Sequence, residues 1–169
     1  KLKDIHDLYQ IPPHRQTVVI VMGSLGSSSV NRVMKEALRQ MQYDDYDVIY
    51  VTGKNYYDEM KNELGDLQDS IHLVSYIDDM PSLISSCDII VSRAGATTLA
   101  EITALGAASI IIPSPYVVKN HQEYNAMELV NAKAARMILE KDLSAERFVK
   151  EVRELLKDQA LLQSFKAHA

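Results

Sequence analysis

Short runs of apolar, mostly β-branched residues recur along this chain, and each leads into a stretch whose apolar residues repeat at helical spacing. The first run, residues 17–22 (TVVIVM), is β-branched and apolar throughout, as expected of a strand buried on both faces. In the segment after it, Val30, Val33, Met34, Ala37, Leu38 and Met41 fall on one helix face. The alternation predicts strands at 47–52, 71–74, 88–91 and 108–112, and a weaker one at 136–139. Between them it predicts helices at 55–64, 80–86 (with Pro81 in the first turn), a segment ending at Gly106, and 120–131. A last predicted helix, 144–157, has Ser144 as N-cap and turns Phe148, Val149, Val152, Leu155 and Leu156 inward. Such a chain builds an α/β, Rossmann-like open parallel sheet with helices on both faces. Its ligands lie at the carboxyl ends of the strands, where the strand order reverses. Residues 17–169 form this domain; residues 1–16, polar and holding Pro12 and Pro13, read as a linker or short helix leading into it.

The charge balance excludes one large class of function. The formal net charge is −5 and no basic stripe is present, so binding nucleic acid by phosphate neutralisation is not expected. The single cysteine, Cys87, rules out an internal disulfide and a multi-cysteine metal site, and reads as a small core residue. No apolar stretch approaches the ~20 residues that span a bilayer, and no signal peptide precedes the first strand, so a cytoplasmic protein is expected. The chain lacks an initiator Met, as a piece of a longer protein would.

Four stretches carry candidate chemistry. In SRAGATTLAE (92–101), Gly95 lets the chain turn from strand to helix, and Ala96, Thr97 and Thr98 form the first helical turn. The N–H groups there face outward and attract phosphate. Glu101 can meet a sugar hydroxyl, or be a solvated acid favoured by the helix dipole. Arg93 can contact phosphate or pair with Asp78 or Asp79. In GSLGSS (23–28), Gly23 permits close approach of backbone to phosphate and Ser24 adds a hydroxyl; a plain tight turn is the alternative. The loop matches the dinucleotide fingerprint poorly, and Thr52 and Gly53 stand where its acidic residue belongs, which disfavours a nicotinamide dehydrogenase. In NHQEYNA (120–126), Gln122 and Asn125 share a helix face and suit hexose hydroxyls; otherwise this is an exposed polar first turn capped by Asn120. In YIDDM (76–80), an aromatic–aliphatic pair that includes Ile77 can shelter a flat base. Asp78 and Asp79 resemble a metal pair but serve better as caps of the following helix. His121 and Cys87 have no partners suited to nucleophilic catalysis.

Together, and in this order, MGSLGSSSVN (22–31), VTGK (51–54), YIDDM, SRAGATTLAE and NHQEYNA resemble the C-terminal half of the MurG family of bacterial UDP-N-acetylglucosamine transferases, which convert lipid I to lipid II in peptidoglycan synthesis. The resemblance implies the C-terminal, donor-binding domain of a GT-B glycosyltransferase. It implies that Ser24 touches the donor, that Ile77 reads uracil through its backbone, and that Ala96, Thr97 and Thr98 line the diphosphate and sugar. Glu101 would hold the ribose hydroxyls and Gln122 those of N-acetylglucosamine. No cofactor or metal is implied, and no catalytic residue is assigned within this half. The partners implied are UDP-N-acetylglucosamine and an N-terminal acceptor domain, which would make the contact with the cytoplasmic face of the membrane. Met22 departs from the pattern, where a Gly is usual. The rival readings are the donor subunit of another UDP-sugar transferase and a non-catalytic nucleotide-binding module.

Overall fold

The computed structural model describes residues 1–22, 28–114 and 121–168, without the side chains of 28, 29 and 121–124. Six of the apolar runs become strands: β1 (Gln16–Val21), β2 (Tyr46–Val51), β3 (Ile71–Val74), β4 (Ile89–Ser92), β5 (Ser109–Ile111) and β6 (Ala135–Met137). They pair in parallel throughout, in the order β3-β2-β1-β4-β5-β6. Strand order reverses between β1 and β4, which places a crevice at their carboxyl ends.

Side chains alternate across the sheet, and both sides are dry. Val18, Ile20, Val48, Tyr50, Ile89, Val91 and Ile110 face one layer. That layer contains α2 (Ser28–Met41), α3 (Tyr57–Leu64), α7 (Ala145–Lys157) and α8 (Gln159–His168). Val19, Ile49, Ile90 and Ile111 face the other, made of α1 (Ile5–Leu8), α4 (Met80–Ser86), α5 (Ala96–Leu105) and α6 (His121–Asn131). Burial on both faces explains why the central strands β1 and β4 read as mainly apolar runs, while β3 is half-buried along its length. On α2, Val30, Met34, Ala37, Leu38 and Met41 are buried and Val33 packs against them at the margin, as the helical spacing requires.

Local chemistry sets the element ends. Just past β2, the Thr52 hydroxyl donates to the carbonyls of Gly53 and Val74. Asp88 precedes β4 because its carboxylate accepts from the Thr17 amide at 2.8 Å. Ser144 accepts from the Arg147 amide and starts α7, a cap that contributes about 1 kcal/mol. Gly106 ends α5 in the left-handed conformation, φ 68°, donating to the carbonyls of Ile102 and Thr103. The N-terminal residues are built into the domain. Ile5 and Ile11 are buried in the second layer, and the amides of Lys3 and Ile5 donate to the hydroxyls of Ser82 and Ser86.

Two elements are not anticipated by the sequence reading. One is a 3₁₀ turn, Glu140–Asp142. The other is α8, whose Leu162 and Phe165 enter the first layer. A signal for α8 existed: Asp158 accepts from the Leu161 amide at 3.0 Å, an N-cap pattern ahead of an apolar repeat. Among the described residues, no helix is long and apolar enough to cross a membrane.

Candidate functional site

The carboxyl end of β4 meets the reversal point directly. Ser92 ends the strand, buried, and its hydroxyl donates to the Arg93 carbonyl at 2.9 Å. Ala94 is also buried, and Gly95 forms the N-cap of α5 in an extended conformation with no side-chain hydrogen bond to the helix. A Cβ built on Gly95 would meet no atom of the described residues beyond its chain neighbours within 4 Å, and its φ of −66° suits any residue. Packing among the described residues therefore does not demand glycine here, and they leave open space at the head of a ten-residue helix. The first N–H groups of α5 lack intrahelical acceptors by geometry and carry the positive end of the helix dipole. Ala96 and Thr97 are exposed and Thr98 is half-buried, so packed side chains do not close off this turn.

Glu101 lies on the second turn of α5 and is half-buried. Its carboxylate has no hydrogen-bond or ion-pair partner among the described residues. It is a partly sheltered acceptor with lone pairs available to a ligand hydroxyl.

Arg93 takes neither of the acidic partners open to it in the sequence. Its Nη1 lies 2.7 Å from the Glu140 carboxylate and within 3.4 Å of the carbonyls of Ile112 and Pro113, while Nε lies 3.4 Å from the Met22 carbonyl. One guanidinium thus gathers the ends of β1 and β5, its own strand and the 3₁₀ turn. Glu140 is the residue sequence reasoning missed. It is far from Arg93 along the chain, and no local pattern marks it.

Asp79 is held by α4. It accepts from the Ser82 amide at 3.2 Å and from the Ser82 hydroxyl at 2.7 Å. These bonds hold its carboxyl below the usual aspartate range. The capping alternative for this acid is the one observed. Ile77 packs its side chain against the second core layer, and the preceding Tyr76 is exposed with the Lys54 ammonium 4.6 Å above its ring. The VTGK and YIDDM stretches therefore meet at the ends of β2 and β3.

On α6, the Asn125 Nδ2 donates to the Ala94 carbonyl at 3.2 Å. Asn125 and Ala96 line one groove between α5 and α6. Gly23 and Ser24 lie outside the described residues, and Gln122 lies on α6 with its side chain outside them. Of the proposed site residues, the structure thus brings together Arg93, Gly95, Ala96, Thr97, Thr98, Glu101 and Asn125 around the end of β4.

Residues 17–169 match the Glycosyltransferase family 28 C-terminal domain. The chain is 44% identical over 158 residues to the UDP-N-acetylglucosamine–N-acetylmuramyl-(pentapeptide) pyrophosphoryl-undecaprenol N-acetylglucosamine transferase of Bacillus cytotoxicus, covering 92% of this chain and 43% of that protein. It is 47% identical over 150 residues to the enzyme of the same name from Lactobacillus delbrueckii subsp. bulgaricus, covering 88% and 40%. The crystal structure of Acinetobacter baumannii MurG superposes with a TM-score of 0.78 at 25% identity, covering 98% of this chain and 48% of that one. The chain thus spans less than half the length of the curated relatives it matches.

Proposed function

Because the chain belongs to the Glycosyltransferase family 28 C-terminal domain family and has the corresponding GT-B domain fold, we propose that it is the donor-binding half of an inverting N-acetylglucosamine transferase. Its donor would be UDP-N-acetylglucosamine and its acceptor undecaprenyl-pyrophosphoryl-N-acetylmuramoyl-pentapeptide, giving lipid II. The observation that carries this reading is the uncapped, open head of α5 at the reversal point, with an unpartnered carboxylate one turn further on.

In this reading the diphosphate lies against the N–H groups of Ala96, Thr97 and Thr98. Glu101 accepts from the ribose hydroxyls. Ile77, its side chain anchored in the core, offers backbone groups to uracil. Gly23 and Ser24 approach the phosphates from the neighbouring loop, and Gln122 receives the sugar hydroxyls. Arg93 supports the site from beneath by holding the strand ends together.

The acceptor hydroxyl oxygen attacks the anomeric carbon from the face opposite UDP. The bond from that carbon to the β-phosphate oxygen breaks, and the electron pair leaves with UDP. The hydroxyl proton passes to a base on the N-terminal half. Negative charge grows on the diphosphate as the bond breaks, and donors already aimed at it stabilise that charge without reorganising. The N-terminal half would also supply the acceptor pocket and the contact with the cytoplasmic face of the membrane.

Titration calorimetry with UDP-N-acetylglucosamine tests the reading. The chain alone binds this donor weakly and transfers no sugar to lipid I. Preference for UDP-glucose or UDP-galactose would reassign the donor; binding of no UDP-sugar would overturn the reading.

A further inference from the structure

We infer that Asn125 is a positioning residue for the phosphate cradle, acting through the β4–α5 turn and not on the ligand. The inference rests on the donor-site reading above.

The Asn125 Nδ2 donates to the Ala94 carbonyl at 3.2 Å, joining residues 31 positions apart. That carbonyl and the Gly95 N–H belong to one planar peptide unit. A bond that fixes the carbonyl therefore also fixes where the Gly95 N–H points and the angle at which the chain enters α5. Gly95 cannot fix this itself. It has the widest backbone freedom of any residue, no side-chain cap at its helix and, among the described residues beyond its chain neighbours, no atom within 4 Å of the space a Cβ would fill. Asn125, by contrast, stands on firm ground. Ala126 beside it and Leu129 one turn on are buried in the core layer that also holds Leu99 and Ile102 of α5. The amide thus links the packing of α5 against α6 to the peptide at the head of α5. Donors that stabilise developing charge must be held in place before the reaction, and this bond contributes to holding them.

A ligand contact and a positioning role predict different losses. A direct contact to the sugar affects UDP-N-acetylglucosamine and leaves UDP alone. A brace on the phosphate cradle affects both equally. In calorimetry with the protein, Asn125→Ala is expected to weaken UDP and UDP-N-acetylglucosamine by the same factor, about five- to tenfold, the size of one lost hydrogen bond. Asn125→Asp keeps the shape but cannot donate when ionised, and gives at least the same loss; it carries the test should the alanine variant unfold. In the ligand-free variants the Gly95 and Ala96 amides exchange hydrogen faster than in the parent, while amides in β1 and β4 do not. A loss confined to the sugar-bearing ligand, or unchanged exchange at Gly95 and Ala96, overturns the inference and leaves the donor site standing. Failure of the unsubstituted protein to bind UDP overturns both.

Discussion

Arg93 and Glu140 form a sheltered ion pair, 2.7 Å from Nη1 to carboxylate, with side chains only 15% and 10% exposed. Removing the acid leaves a guanidinium in poor contact with water, although its carbonyl acceptors remain. Glu140→Ala should therefore destabilise the fold by about 2 kcal/mol, the scale of a lost charge-assisted hydrogen bond. Arg93→Lys should lose a similar amount, because an ammonium cannot reach this spread of acceptors as a planar fork does. Urea unfolding monitored by circular dichroism measures both, and a change below about 0.5 kcal/mol in each would contradict the role given to the pair.

Glu101 has no protein partner among the described residues, so its removal should barely touch stability. Glu101→Ala is expected to weaken UDP binding by about 1–3 kcal/mol, as for a lost hydrogen bond to a charged group. Calorimetry together with a melting curve separates the two effects. Unchanged affinity removes the carboxylate from the ribose.

Gly95→Ala gives a sharper contrast. The backbone there suits alanine and the space is open, so the unfolded chain loses entropy and stability should rise by up to about 1 kcal/mol. The same methyl would stand where phosphate approaches, and UDP affinity should fall at least about tenfold, or 1.4 kcal/mol. Equal UDP binding by parent and variant would show that phosphate does not come to this turn.

Cys87 is buried, and burial followed by the neighbouring Asp88 charge pushes its thiol up to about 12. The thiolate is the reactive form. The native protein at pH 8 should therefore resist a thiol-specific dye until denatured. Rapid labelling of the folded chain would refute its placement.

His6 supplies the pH dependence. Burial alone would lower its pKa, but its bond to the Arg15 carbonyl, its bond to Asp4 and the charges of Asp4 and Asp88 together raise it above the usual imidazole value of 6.5. The protonated ring is thus favoured in the folded state. Its stabilisation is complete below pH 6.5 and is lost as pH rises through the elevated folded value. His6→Gln should flatten the stability curve across that interval, as read from urea midpoints at successive pH values. A curve of unchanged slope would assign the pH dependence to other groups.

The strand–helix alternation was legible because the central strands are buried on both faces, so β1 and β4 appear in the sequence as mainly apolar runs, whereas β3 is half-buried throughout. Boundaries shifted by about a residue at Thr52 and Asp88, whose amides still donate to the carbonyls of Val74 and Thr17 on neighbouring strands. The turn at 92–101 was legible for a similar reason: small residues after a buried strand leave backbone exposed. The partners of that turn were not legible. Glu140 reaches Arg93 across 47 positions and Asn125 reaches Ala94 across 31, and such meetings are products of sheet order, which no local pattern encodes. The capping role of Asp79, by contrast, was legible, because its partner Ser82 stands only three residues on.

The last helix does more than cover one layer. Leu162 and Phe165 sit under α2 and α7's side of the sheet, yet the Lys166 carbonyl reaches to 3.5 Å of a Cβ placed on Gly106 at the foot of α5, and its ammonium lies 3.9 Å from Asp88. The tail is therefore clasped to the middle of the chain at the amino ends of β4 and β5, opposite the crevice at the strands' carboxyl ends. Anyone fusing this unit to another module must carry the ten residues of α8 along; a chain cut at Lys157 would withdraw Leu162 and Phe165 from the first layer and leave the foot of α5 uncovered.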